Sequence, residues 1–77
     1  MTITPQQVKE GRQLLGWSRS DLAGHSGVSL TTMANFERGT RRASVLDLSV
    51  LRRALEAAGV EFITEHGAAG VRLRKPK

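Results

Sequence analysis

Few residues of this 77-residue chain have the chemistry of a catalytic or metal-binding site. There is no cysteine, which excludes a disulfide, a cysteine-based zinc site and a cysteine nucleophile. The two histidines, His25 and His66, are too far apart in sequence to indicate a metal site. Asp21, Asp47 and Glu37 are each accounted for as a helix cap or an ion-pair partner, and no nucleophile stands beside a base. We therefore expect no enzymatic activity, no metal and no other cofactor.

The side chains that carry charge are mainly basic. The chain has twelve lysines and arginines and seven acidic residues, which gives a net charge of +5 and a sequence pI near 11.2. Nine of the twelve are arginines, whose planar guanidinium suits phosphate and guanine edges better than an ammonium does. For so small a chain, this balance favours a polyanionic partner. The alternative is a soluble protein that is merely basic.

The stretch from Ser18 to Gly39 is the strongest pattern in the sequence. It contains two short helical patterns, each opened by a serine that can cap it, Ser18 and Ser29. Asp21 follows Ser18 by three residues, close to a capping box, and Gly27 permits a positive-φ turn between the helices. Two short helices joined by such a turn predict a helix-turn-helix and point to DNA. Its apolar positions are Leu22, Ala23, Val28, Met33 and Phe36.

One helix is predicted before this stretch. Thr4 can cap it, with Pro5 in its first turn, and Gly16 ends it. Gly11 lies inside the helix at a cost in helix propensity, which indicates that another helix passes close to it. We expect Trp17 to fill the core between the first two helices rather than to stack on a ligand.

A fourth helix and a β-hairpin are predicted after it. Ser44 caps the fourth helix and Gly59 ends it, with Val45, Leu48, Leu51 and Leu55 as its apolar stripe. Alternation in 60–64 and 71–74 predicts two strands joined by a turn-rich link over 65–70. One face of this hairpin would carry Val60, Phe62, Val71 and Leu73.

The expected organisation is a helix-turn-helix domain over 1–59, a hairpin over 60–74 and a basic tail over 75–77. Because an isolated hairpin is marginal in water, it must pack on its own helices or pair with a second chain. We favour the hairpin as the dimerisation element.

The residues from Pro5 to Leu55 resemble the phage-repressor-like helix-turn-helix domains of the Cro/repressor (XRE) family. The pattern is Arg12-x-x-Leu15-Gly16-Trp17-Ser18-Arg19-x-x-Leu22-Ala23-x-x-x-Gly27-Val28-Ser29-x-x-Thr32-Met33-x-x-Phe36-Glu37-Arg38-Gly39. The resemblance implies a mainly α fold, a four-helix lambda-repressor-like domain, here followed by a C-terminal β-hairpin. Two features depart from the family: Arg19 stands where many members have glutamine, and the hairpin stands where many have a fifth helix.

The resemblance also implies roles for individual residues. Helix 3 would lie in the major groove, with Leu30, Thr31 and Asn35 at the bases. Arg19 would meet a phosphate or a guanine, and Arg38, Arg41 and Arg42 would lie along the DNA backbone, where Ser29 can also donate. Glu37, an acid within this basic run, would form a structural ion pair with Arg12. The alternative for the polar residues is a solvated helix face.

These expectations favour a sequence-specific transcriptional regulator, a repressor that binds double-stranded DNA at a palindromic operator as a homodimer. The alternative is a protein-interaction module, antitoxin-like or an adaptor, whose protein partner matters more than DNA. The first residues lack the basic and apolar blocks typical of a signal peptide, and no apolar run approaches the ~18–20 residues that a membrane span needs. We therefore expect no membrane association and a cytoplasmic, nucleoid-associated protein of bacterial or phage origin.

Overall fold

Four helices followed by a two-stranded antiparallel hairpin make up the fold, in a computed structural model that describes residues 3–65 and 67–74. This confirms the predicted mainly α, lambda-repressor-like class with a C-terminal hairpin. His66 and the predicted basic tail at 75–77 lie outside the described residues. The helices are α1 (Pro5–Leu14), α2 (Arg19–Ser26), α3 (Leu30–Arg38) and α4 (Val45–Ala57), and the strands are β1 (Val60–Glu65) and β2 (Ala68–Leu73).

Side-chain caps determine where each helix begins. Thr4, Ser18, Ser29 and Ser44 have extended backbones, and each hydroxyl accepts a hydrogen bond from the backbone N–H three residues on. In α1 and α2 the third helical residue also accepts from the backbone of the cap, which completes a capping box. All four caps predicted from the sequence are therefore present.

The turn between α2 and α3 depends on Gly27, whose φ of +80° is open to glycine at little cost. Gly27 ends α2, and Ser29 caps α3 two residues later. This short turn directs α3 across α2, and the two helices bury Leu22, Val28 and Met33 where they meet. The predicted helix-turn-helix is thus the structure of this segment.

The core lies among all four helices and β1. Its buried apolar side chains are Ile3, Val8, Leu22, Val28, Met33, Phe36, Leu51, Leu55 and Val60. Trp17 is only half-buried, at the edge of this core, where its ring stacks on His25 with the centroids 4.1 Å apart. The prediction that Trp17 fills the core is therefore only partly right.

The apolar stripe of α4 is shorter than predicted. Leu51 and Leu55 are fully buried and Leu48 is half-buried, but Val45 is 84% exposed. The prediction for Val45 is wrong because the first turn of α4 extends past the helices that cover the rest of the stripe. Leu46 beside it is 72% exposed, so α4 begins with two apolar side chains in solvent.

The hairpin packs on the protein's own helices. Val60 pairs with Leu73 and Phe62 with Val71, so these residues share one face, as predicted. β2 packs against α1 and β1 against α4. Val60 is buried, Phe62 and Val71 pack against the core, and Leu73 at the end of the strand is 44% exposed.

The turn of the hairpin is shorter than the predicted link over 65–70. β1 continues to Glu65 and β2 resumes at Ala68, which leaves only positions 66 and 67 between the strands. Gly67 has a φ of +80°, a conformation that glycine adopts at little cost. The strand start was missed because its alanine and glycine residues have low β propensity.

Two contacts join α1 to the hairpin and to α4. The Gln7 side chain, only 3% exposed, donates from Nε2 to the Gly70 carbonyl at 3.0 Å. A Cβ added at Gly11 would lie 3.3 Å from Val60 Cγ1 and 3.5 Å from Leu55 Cδ1. The close approach predicted at Gly11 is therefore real, and it involves a strand as well as a helix. Within the described ranges, no helix has the length and apolar character needed to cross a bilayer.

Candidate nucleic-acid interface

Helix α3 has one buried and one exposed face. Met33 and Phe36 point into the core, so the helix cannot rotate about its axis without exposing them. At its N-terminal end Leu30 is 46% exposed, and Thr31 is exposed as well. The structure therefore places these two of the three predicted base-contacting residues on the solvent side of α3, whereas Asn35 is half-buried.

The Ser29 hydroxyl is already in use within the cap of α3. It accepts from the Thr32 backbone N–H at 3.1 Å and donates to Thr32 Oγ1 at 2.8 Å. A hydroxyl has one hydrogen to donate. Ser29 can thus donate to a phosphate only if its hydroxyl hydrogen turns away from Thr32 Oγ1.

Asn35 and Arg38 are brought together near the end of α3. Arg38 donates from Nη2 to Asn35 Oδ1 at 3.2 Å and from Nε to the Ala34 carbonyl at 3.4 Å. Neither N–H group of the Asn35 amide has a partner among the residues that the structure describes, and its oxygen has a second lone pair. Asn35 therefore keeps the donor and the acceptor that an adenine edge requires.

The loop after α3 carries two further arginines. Thr40 donates from its backbone N–H at 3.1 Å and from Oγ1 at 3.2 Å to the Asn35 carbonyl, which fixes the start of the loop. Arg41 and Arg42 follow it and are both exposed. Neither forms an ion pair or a side-chain hydrogen bond within residues 3–65 and 67–74. Their charges face solvent next to α3.

Glu37, on α3, forms a bidentate ion pair with Arg12 on α1. Arg12 donates from Nε to Glu37 Oε2 and from Nη2 to Oε1, both at 3.0 Å, and from Nη1 to the Trp17 carbonyl at 3.0 Å. The two side chains are only 12% and 1% exposed. The structural pair expected from the resemblance is thus present, and the Trp17 carbonyl is an additional acceptor.

Arg19 also contacts Glu37, which the sequence did not predict. Its Nε donates to Glu37 Oε1 at 3.4 Å, and its side chain is 40% exposed. The contact joins the start of α2 to the end of α3, across the helix-turn-helix. No local sequence signal marks it, because these residues stand 18 positions apart on elements whose crossing is known only from the fold.

Next to Arg19, Asp21 completes the cap of α2. The Ser18 backbone N–H donates to Asp21 Oδ2 at 2.8 Å, and this hydrogen bond is the main cause that lowers the pKa of Asp21 below its ordinary value. The Ser18 hydroxyl is a smaller cause in the same direction. Asp21 therefore stays ionised in the first turn of α2, where negative charge stabilises the helix.

A family model described as helix-turn-helix matches residues 8–62. The chain belongs to the Cro/repressor-like (XRE) helix-turn-helix family. This match contains all of α2, α3 and α4, and it makes the protein a DNA-binding transcription regulator. No curated protein matches the chain significantly.

The residues named for DNA binding in this XRE-family protein fall into three places. Leu30 and Thr31 lie at the start of α3, Asn35 and Arg38 are bonded together near its end, and Arg41 and Arg42 stand in the following loop. Arg19 lies at the start of α2 and is held by Glu37, for which the resemblance implied Arg12 as partner.

Proposed function

We propose that this protein is a transcriptional repressor that binds a palindromic operator as a homodimer, with α3 in the major groove. The observation that carries the proposal is the exposed N-terminal face of α3 within an XRE-family helix-turn-helix. An apolar side chain such as Leu30, 46% exposed, gains from contact with a thymine methyl group. Thr31 and Asn35 supply the hydrogen-bonding groups for neighbouring base edges.

Phosphate binding is assigned to the arginines around α3. Arg41 and Arg42 have no intramolecular partner within the described ranges, so no ion pair has to be broken before they meet a phosphate. Arg38 can approach the backbone while keeping Asn35 oriented. Such contacts position the protein, whereas base contacts give it specificity.

Selection from random duplex DNA tests the specificity, followed by a salt titration on the enriched sequence. We expect a palindrome with half-sites about one helical turn apart. Thr31→Ala and Asn35→Ala should each relax the preference at one base pair. Arg42→Gln should weaken binding to every sequence and reduce the salt slope by about 0.9. Lys9→Gln, an exposed cation on α1, is the matched control and should leave both properties unchanged.

Two results would contradict this proposal. Equal binding to all duplexes would indicate non-specific packaging of DNA. Failure to enrich any sequence unless a protein partner is added would favour the adaptor interpretation. Placing the enriched palindrome over a reporter promoter then tests repression, for which transcription should fall as the protein is expressed.

Homodimerisation is proposed because one α3 reads a short half-site and two copies are needed for a palindrome. The apolar inner face of the hairpin is occupied by the protein's own helices, so the proposed contact uses the outer face and the free strand edges. Ile63 supports this choice, since it pairs with Gly70, is half-buried and does not pack against the core.

Sedimentation equilibrium locates the contact. Ile63→Lys should dissociate the dimer and leave a monomer with the wild-type helical circular dichroism spectrum, because this side chain lies outside the core. The matched variant is Val45→Ser with Leu46→Ser, which removes two exposed apolar side chains at the start of α4. Dissociation in that variant alone would place the interface at the start of α4 and contradict the hairpin.

A further inference from the structure

We propose that Glu37 is a positioning residue for DNA binding. By accepting from Nε of Arg19, it holds that guanidinium at the start of α2 with both terminal nitrogens free for a phosphate. The inference rests on the proposed function, since it assigns to Glu37 a part in phosphate recognition beyond its pair with Arg12.

The two arginines on Glu37 are held very differently. Arg12 makes three hydrogen bonds of 3.0 Å, two to Glu37 and one to the Trp17 carbonyl, and is 12% exposed. Arg19 makes one bond of 3.4 Å to the same carboxylate and is 40% exposed. Arg12 is therefore fixed within the fold, whereas Arg19 is held at one atom and reaches solvent.

The nitrogen by which Arg19 is held decides what remains available. Nε contacts Glu37, and neither Nη1 nor Nη2 bonds to any residue that the structure describes. The end of a guanidinium that carries both terminal nitrogens can grip a phosphate through two parallel hydrogen bonds. Arg19 can therefore keep its contact with Glu37 while it binds a phosphate.

The charge at this cluster also favours an anion. One carboxylate is shared by two guanidiniums, so the three side chains together carry one positive charge. Glu37 is 1% exposed and lies beneath the arginines. An approaching phosphate thus meets the guanidinium of Arg19 and not the carboxylate. Because Arg19 is already partly ordered, less side-chain entropy is lost when DNA binds.

Substitution of Arg19 by lysine shows whether Arg19 acts through its orientation on Glu37 or only through its positive charge. A lysine ammonium keeps the charge but has all its donors on one nitrogen, so it cannot grip a phosphate through a two-nitrogen fork while it contacts Glu37. If Glu37 positions Arg19, then lysine at this place should be a poor replacement. If Glu37 instead competes with DNA for Arg19, then lysine should bind as well as arginine or better.

The experiment measures the affinity of the full chain for a short duplex of mixed sequence at several salt concentrations. We expect Arg19→Lys and Arg19→Gln each to lower the affinity about tenfold, as for loss of one charge-assisted hydrogen bond. The matched pair is Arg42→Lys and Arg42→Gln, at an arginine without a described partner. There, lysine should bind clearly better than glutamine, because a cation without a fixed partner acts mainly through its charge. Lys9→Gln, at an exposed cation on α1, is the control that should leave the affinity unchanged. Glu37 itself is left intact because the fold depends on its pair with Arg12.

A second measurement on the free protein does not depend on DNA. The Arg19 side-chain Nε–H should give a positive heteronuclear NOE in NMR, as an ordered group does, whereas that of Arg42 should not. An Arg19 Nε–H as mobile as that of Arg42 overturns the positioning role, as does a wild-type affinity in Arg19→Lys. Absence of duplex binding by the wild-type chain overturns the proposed function and this inference with it.

Discussion

At the scale of single residues, the shared carboxylate of Glu37 connects three helices. It is buried at 1% exposure and ties α3 to α1 through Arg12 and to α2 through Arg19. A buried ion pair of this kind stabilises the fold little more than apolar side chains of the same size would. Loss of one partner is costly, however, because it leaves the remaining charges buried without a counter-ion. The orientation of three helices therefore depends on one side chain.

Replacing Glu37 by glutamine tests this dependence. Glu37→Gln removes the negative charge and leaves the guanidinium of Arg12, 12% exposed, without its counter-ion. We expect the free energy of unfolding to fall by about 3–5 kcal/mol in urea titrations. The matched control is Glu56→Gln, whose pair with Arg52 is partly exposed and which should change stability by less than about 0.5 kcal/mol. Equal effects of the two variants would contradict the structural role of Glu37.

Asp21 gives the α2 cap a pH dependence. Hydrogen bonds from Ser18 lower the pKa of Asp21 in the folded protein, so the folded state binds this proton less readily than the unfolded chain does. Its contribution to stability is therefore fully present above the ordinary aspartate pKa of about 3.9. It is lost as the pH falls through the lower folded value. The unfolding free energies of wild type and Asp21→Asn should differ at neutral pH and converge in acid. A constant difference would contradict this linkage.

The caps and the Arg19 contact show where prediction from the sequence succeeds and fails at this scale. A cap joins groups three residues apart, so Ser18 and Asp21 carry all the information that is needed. Arg19 and Glu37 meet only because α2 crosses α3, and their approach depends on the crossing geometry. The sequence therefore predicted every cap and missed the second arginine on Glu37.

At the scale of elements, periodicity predicted which face of α4 is buried but not how far the core extends along it. Val45 continues the spacing of Leu48 and Leu51, yet it is exposed because no neighbouring element reaches the first turn. Prediction of the hairpin failed in a similar way at its turn, because the alanine and glycine residues at the start of β2 have low β propensity. Element type follows from local pattern, whereas the limits of burial depend on neighbours.

Two glycines, Gly11 and Gly24, lie within helices and lack a positive φ, so alanine substitutions there compare the effect of helix propensity with that of packing. A Cβ added at Gly24 in α2 would meet open space, so Gly24→Ala should stabilise the protein by about 0.5–1 kcal/mol. At Gly11 the added Cβ would lie 3.3 Å from Val60 Cγ1, and displacement of this side chain should cancel the gain. We expect Gly11→Ala to melt no higher than wild type. A gain equal to that of Gly24→Ala would show that the contact between α1 and β1 is loose.

At the scale of the whole molecule, the hairpin is part of the core and not an appendage. Val60 is 1% exposed among side chains from the helices, and Gln7 on α1 bonds to the carbonyl of Gly70. The family match extends to residue 62, which includes the start of β1. Any dimer contact on the outer face of the hairpin is therefore built on a rigidly packed support.

Truncation tests this integration. A chain that ends at Gly59 loses Val60, whose burial alone contributes about 1.5–3 kcal/mol, and uncovers one side of α1 and α4. Because small domains have only about 5–15 kcal/mol of stability, we expect largely unfolded protein by circular dichroism. The control ends at Arg74 and keeps every described contact. A cooperative melt of the shorter chain near the wild-type temperature would contradict the integration.

The hydrogen bond between Gln7 and Gly70 has a consequence for the order of folding. It joins groups 63 positions apart, whereas the caps and turns of the helices join near neighbours. Closing so large a loop costs more entropy than forming a helical turn, so we expect the helices to assemble first and the hairpin to dock late. Substitutions at this contact should then accelerate unfolding and leave the folding rate almost unchanged. We therefore expect the attachment of this last strand to determine the lifetime of the native state.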